Sequence, residues 1–128
     1  MKEDTYIRVV YRAFEDGVEV VGPSYFASKL GISKVTAQEA LLKLASMNYG
    51  EYIPKKGFKL NKLGIEKGKN ATRKHRLIEC FLHELGLNSK IACDEATRIE
   101  CYVSNTLIDT LKERFQEREF CPCGKEIR

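Results

Sequence analysis

No stretch of this 128-residue chain stays apolar for the roughly 18–20 residues of a membrane helix. A spanning segment and a membrane partner are therefore not expected. The opening residues, Met-Lys-Glu-Asp-Thr-Tyr, carry too much charge for a secretory leader, which predicts a cytoplasmic protein. In that compartment the five cysteines stay reduced and serve metal or redox chemistry rather than disulfides. Their odd number and the lack of a regular framework agree. Internal repeats and low-complexity segments are absent. So are a phosphate-binding loop, a Gly-X-Ser-X-Gly elbow, a four-cysteine zinc ribbon and a nucleophile paired with a base. The chain is not expected to be an enzyme.

What is present is unevenly charged. The net charge is only +4, yet residues 55–76 hold nine Lys/Arg against one acid. Residues 1–54 hold six against seven, and residues 77–128 seven against ten. A basic block inside a mildly acidic chain predicts contact with phosphate wherever a nucleic-acid-binding motif adjoins it.

Such a motif comes just before the block. Tyr6, Val9, Val10, Ala13 and Phe14 follow helical spacing over residues 4–15, and Asp16-Gly17 ends that helix. Pro23-Ser24 opens a second helix with Phe26, Ala27 and Leu30 inward, stopping at Gly31. Ser33 is the N-cap of a third, whose apolar positions are Ala37, Ala40, Leu41 and Leu44. Helix, Leu-Gly-Ile-Ser, helix is the length and turn chemistry of a helix-turn-helix. Ser33, Lys34, Val35, Thr36, Gln38 and Glu39 then open the recognition helix and are expected at base edges in the major groove. The following segment, residues 51–61, alternates, turns at Lys55-Lys56-Gly57 and returns, a hairpin with lysines at its tip. Lys55, Lys56 and Lys59 of this wing are expected to hold phosphates.

From Lys62 to Leu85 one long helix is predicted, weakened early by Gly64 and Gly68, with Ile78, Phe81, Leu82 and Leu85 as its apolar face. A fifth helix over about Lys90–Ser104 offers Ile91, Ala96, Ile99 and Val103. A sixth over about Asn105–Glu119 offers Leu107, Ile108, Leu111 and Phe115. That is more apolar surface than a half of about 60 residues buries alone, and a homodimer is its simplest use.

The same helices carry the chemistry. His75 and Glu79, four apart, share one helical face, while Cys93, Thr97, Glu100 and Cys101 recur at helical spacing on another. Imidazole, carboxylate and thiolate converging from two antiparallel helices are the donors of a transition-metal site. Cys93 and Cys101, eight residues apart, are separated by about 12 Å along a helix, too far to share one ion. The tail adds Cys121 and Cys123, a Cys-X-Cys spacing that can chelate a metal or form a redox pair.

These features together resemble the diphtheria-toxin-repressor family of metal-dependent regulators, including its manganese-regulator branch. The resemblance is carried by ASKLGISKVTAQEALLKL, by the wing EYIPKKGFKLNKLG, and most strongly by RKHRLIECFL followed by DEATRIECYVS. The tail CPCGKEI is similar to the Cys-Pro-His-Gly segment that precedes an SH3-like third domain in longer members; here the sequence stops at that point. The resemblance implies a mostly α fold with a small β-wing. Residues 1–62 form a winged helix-turn-helix, and residues 63–128 a helical dimerisation and metal-binding domain. It implies one metal site with His75, Glu79 and, in place of a histidine, Cys93. It implies a second with Glu100 and Cys101, short of ligands because Thr5, Arg8 and Thr97 stand at other ligand positions.

The expected function is metal-dependent transcription regulation, with a homodimer binding palindromic double-stranded operator DNA and a divalent metal as co-repressor. Thiolate ligands favour Fe2+ or Zn2+ and leave Mn2+, Co2+ or Ni2+ as lesser candidates. The alternative within the same fold is a metal-independent or thiol-redox-responsive regulator.

Overall fold

The computed structural model describes residues 2–115, which fall into two compact units, Lys2–Lys69 and the residues from Asn70 onward. Three helices and a small sheet make up the first unit: α1 (Glu3–Glu15), β1 (Val20–Val21), α2 (Pro23–Leu30), α3 (Lys34–Ser46), β2 (Gly50–Ile53) and β3 (Gly57–Leu60). A long helix, α4 (Lys62–Glu84), starts in this unit and runs on into the second, where α5 (Ser89–Ile99) and α6 (Asn105–Arg114) follow it. No described helix is long and apolar enough to cross a membrane.

The first unit is built by its caps and turns. Pro23 supplies a preset φ at the first turn of α2, and Gly31 closes that helix in the left-handed conformation at φ +66°. Two residues on, the Ser33 hydroxyl accepts the backbone N–H of Thr36 at 3.1 Å and starts α3. The four apolar positions of α3 (Ala37, Ala40, Leu41 and Leu44) are all buried, against a core that includes Ile7, Val10, Phe26 and Phe58. The first helix departs from its expected stripe. Thr5 and Ile7 are buried with Val10 and Ala13, while Phe14 at the C-terminal end is exposed, so the buried face is rotated towards the helix start.

The wing is the antiparallel pair β2–β3, in register from Gly50 opposite Leu60 to Ile53 opposite Gly57. Spacing alone did not indicate β1, whose two residues pair with Phe58 and Lys59 on the other edge of β3 to give the order β1-β3-β2. Asn61 then joins sheet to helix. Its N–H donates to the Tyr49 carbonyl at 3.1 Å, and its side-chain oxygen accepts the N–H of Gly64 at 2.8 Å, which caps α4. Gly64 and Gly68 do not break this helix. A side-chain carbon at Gly64 would collide with the Tyr49 carbonyl, and one at Gly68 with the Tyr11 side chain. Both glycines are close-approach positions.

In the second unit Leu77, Ile78, Cys80, Ala96, Ile108, Leu111 and Phe115 form one core, with Leu82 and Val103 packed at its edge. Asn88 and Ser104 cap α5 and α6 by accepting the N–H three residues ahead. The fifth helix ends at Ile99 rather than at Ser104, because Glu100–Tyr102 turn before the Ser104 cap. Phe81, Leu85, Ile91, Ile99 and Leu107, all on the apolar faces read from the sequence, are exposed within this chain.

Replacing a mid-helix glycine by alanine ordinarily favours the helix by about 1 kcal/mol. At Gly64 the sign is expected to reverse. Urea denaturation of Gly64→Ala should show a loss of about 1–3 kcal/mol from the clash with Tyr49.

Candidate metal centre and nucleic-acid interface

Among the described residues one group of three donor side chains can surround a metal ion: His75, Glu79 and Cys93, with donor atoms all within 4.8 Å of one another. The spacing on α4 produces the first pair, since residues four apart stack on one face. His75 Nε2 lies 2.9 Å from Glu79 Oε1. The second turn of α5 brings in the thiol, with Cys93 Sγ 3.5 Å from the same Nε2. Ligand bonds of about 2.0–2.3 Å set neighbouring donors about 3.3–3.8 Å apart at a tetrahedral centre, so this spacing is near what an ion requires.

The other side of the imidazole is also engaged. His75 Nδ1 lies 2.9 Å from Glu100 Oε1. Both carboxylates are about 1% exposed and the histidine 4%. One imidazole carries at most a single positive charge against these two buried acids. Glu79 Oε2 is buried and has no hydrogen-bond partner. A buried carboxylate oxygen without a donor is costly, and a cation held with nitrogen and sulfur would satisfy it. The donor set therefore fits a divalent transition metal.

Glu100 is thus gathered to His75, whereas the sequence grouped it with Cys101. Cys101 is half-buried in the turn after α5. Thr97 donates its hydroxyl to the Cys93 carbonyl at 3.0 Å. Thr5 and Arg8 lie on α1 in the first unit. Cys121 and Cys123 lie outside the described residues. Nothing in the sequence pointed to Thr72, one turn before His75, whose hydroxyl is, among the described residues, the other buried side-chain oxygen without a hydrogen-bond partner. A threonine inside a helix gives no signal for this by itself.

On the first unit the opening of α3 is open to solvent: Ser33, Lys34, Val35, Thr36, Gln38 and Glu39 are all exposed, opposite the buried stripe. Val35 is 68% exposed, unusual for a β-branched apolar side chain. The Ser33 hydroxyl donates to Thr36 Oγ1 at 2.9 Å besides capping the helix, so these two residues shape the helix start. Lys55 and Lys56 stand in the wing turn, Lys55 with φ +66°, and Lys59 projects from β3 in register with Glu51. All three lysines are exposed.

Comparison with known proteins accounts for both halves. The model of the iron dependent repressor N-terminal DNA binding domain matches residues 1–58, and that of the iron dependent repressor metal binding and dimerisation domain matches residues 61–128. An uncharacterized HTH-type transcriptional regulator of Methanocaldococcus jannaschii is 29% identical over 119 residues, 90% of this chain and 95% of its own length. The transcriptional regulator MntR of Escherichia coli is 30% identical over 112 residues, 85% of this chain and 70% of its own. Among solved structures, a manganese-dependent transcriptional repressor in complex with manganese superposes with a TM-score of 0.87 at 28% identity. The manganese regulator SloR gives 0.83 at 27%. Each of these alignments covers 98% of this chain but only 57% and 58% of the solved chains.

Removing the imidazole leaves Glu79 and Glu100 without the ring they share. His75→Ala is expected to cost the metal-free protein about 3–5 kcal/mol, as when one partner of a buried ion pair is removed. Adding Glu79→Gln to that variant should recover part of the loss. Urea unfolding of the three proteins in the presence of chelator measures both effects.

Proposed function

The chain belongs to the iron-dependent repressor family, and from that premise we propose a homodimeric winged-helix regulator whose hold on operator DNA is set by a divalent metal at His75, Glu79 and Cys93. It is a transcriptional regulator, not an enzyme. The observation that carries the metal reading is the buried, unpaired Glu79 Oε2 beside an imidazole and a thiol. When bound, the cation supplies the positive charge that balances this carboxylate. His75 and Glu79 hold it from α4, and Cys93 from α5. Coupling to DNA then follows as a population shift, since a ligand favours only the state it binds better.

The thiol bears on which metal is used. Manganese is the metal of two of the similar structures, by their own descriptions. Cys93 makes this centre softer than one of nitrogen and oxygen alone, which favours zinc or ferrous iron. On the DNA side, Lys34, Val35, Gln38 and Glu39 meet base edges, with Ser33 and Thr36 at the helix start. Lys55, Lys56 and Lys59 contact phosphates. The exposed apolar side chains Phe81, Leu85, Ile91, Ile99, Tyr102 and Leu107 are the material of the dimer interface. A two-fold dimer presents its recognition helices to a palindromic site.

A DNA shift assay with Zn2+ or Fe2+, with and without chelator, tests the reading. Affinity should rise with metal and fall with chelator. DNA affinity indifferent to metal but altered by oxidant would favour thiol-based control instead. Lys55→Ala with Lys56→Ala should weaken binding to all sequences alike and flatten the log–log salt dependence by about 0.9 for each phosphate no longer neutralised. Phe81→Asp or Leu107→Asp is expected to yield soluble monomer in sedimentation, since both side chains are exposed and their replacement leaves the core intact.

A further inference from the structure

We propose that Glu100 is the positioning residue of the metal centre: it holds the Nδ1 side of His75 so that Nε2 faces Glu79 and Cys93, and it is not a ligand of a second site with Cys101. This rests on the reading of His75, Glu79 and Cys93 as ligands and extends it.

The two nitrogens of an imidazole are chemically distinct once one of them has a carboxylate partner. A carboxylate only accepts, and Glu79 and Glu100 stand equally close to the two ring nitrogens, so each can accept a ring N–H. A cation on Nε2 takes the place of the proton there, and the proton that stays on Nδ1 is accepted by Glu100 at 2.9 Å. Nε2 is the nitrogen that lies 2.9 Å from Glu79 Oε1 and 3.5 Å from Cys93 Sγ. A carboxylate behind a ligating histidine also fixes the ring plane and raises its basicity. Glu100 is well placed for this. It closes α5 in helical conformation, with its N–H bonded to the Ala96 carbonyl at 2.9 Å, and its side chain is about 1% exposed. Of the residues at the second site's positions, Thr97 is engaged within its own helix, to whose backbone it donates its hydroxyl. Among the described residues Glu100 and Cys101 belong to no group of three donors.

The chain has only two histidines, His75 and His83, so 15N spectra of the ring nitrogens resolve the question directly. Cobalt titration of the intact protein supplies the second readout, through the thiolate-to-cobalt absorption that Cys93 gives. The wild type should bind one Co2+ per chain. Glu100→Gln should keep that stoichiometry and the same absorption at saturation, with affinity lower by about 10- to 100-fold, because an amide can donate as well as accept and no longer enforces the proton at Nδ1. Glu100→Asp, which keeps the charge one methylene short, should fall between the two, and Cys101→Ser should match the wild type. In the Zn2+-saturated protein His75 should be bound through Nε2 with Nδ1 protonated.

Three outcomes overturn the Glu100 assignment alone. They are loss of one ion per chain in Glu100→Gln, an unchanged affinity in that variant, and coordination of His75 through Nδ1. Retention of the thiolate absorption in Cys93→Ser overturns the underlying ligand reading, and the Glu100 assignment with it.

Discussion

His75 has both ring nitrogens 2.9 Å from a buried carboxylate oxygen, Glu79 on one side and Glu100 on the other. Taking two acids out of water is tolerable only where they share opposite charge and donors. This constraint governs the second unit. α4 must present its 75–79 face to α5. The last turn of α5 must bring Glu100 to the far edge of the ring, and Cys93, two turns earlier, then falls beside Nε2. The burial of His75, Glu79 and Glu100 keeps water from competing for those groups. Glu79 Oε2 remains unpaired, so the arrangement is incomplete in a way that a cation with affinity for nitrogen, sulfur and oxygen resolves.

The first unit is organised by a different economy, one of close backbone approach. Gly64 admits the Tyr49 carbonyl to the start of α4, and Asn61 ties that carbonyl and the Asn48 carbonyl to the same helix turn. The end of α3, the wing and the beginning of α4 therefore meet at one hydrogen-bonded corner. Tyr49 itself donates its hydroxyl to Glu3 of α1 at 3.1 Å, and burial together with that carboxylate pushes its phenol up from the ordinary value. The exposed opening of α3 and the lysines of the wing turn project from this frame. An electropositive, solvent-facing surface on a rigid support is what phosphate contact needs.

Relatives with manganese in their descriptions share the fold with this chain, while its donor set is softer than one without a thiol. Fold and chemistry are thus separable here. The helices decide where donors converge, and in the proposed centre the thiol of Cys93 is the group that would favour a softer cation.

The sequence by itself determined the helices, the helix-turn-helix, the wing and the pairing of His75 with Glu79. Each of these is a local matter: caps, turn residues and helical periodicity act over a few residues. It also brought Cys93 into the same group, through the resemblance of two segments to a known family. Only the tertiary structure brought Glu100 to His75, because the two lie 25 residues apart and no periodicity links them. The same holds for Gly64 and Gly68, which read as helix weaknesses until the Tyr49 carbonyl and the Tyr11 side chain are seen against them. It holds too for β1, two residues long and defined solely by its neighbour β3. The exposure of Phe81, Ile91 and Ile99 belongs with these, since apolar periodicity marks a face to be covered without saying whether the same chain covers it.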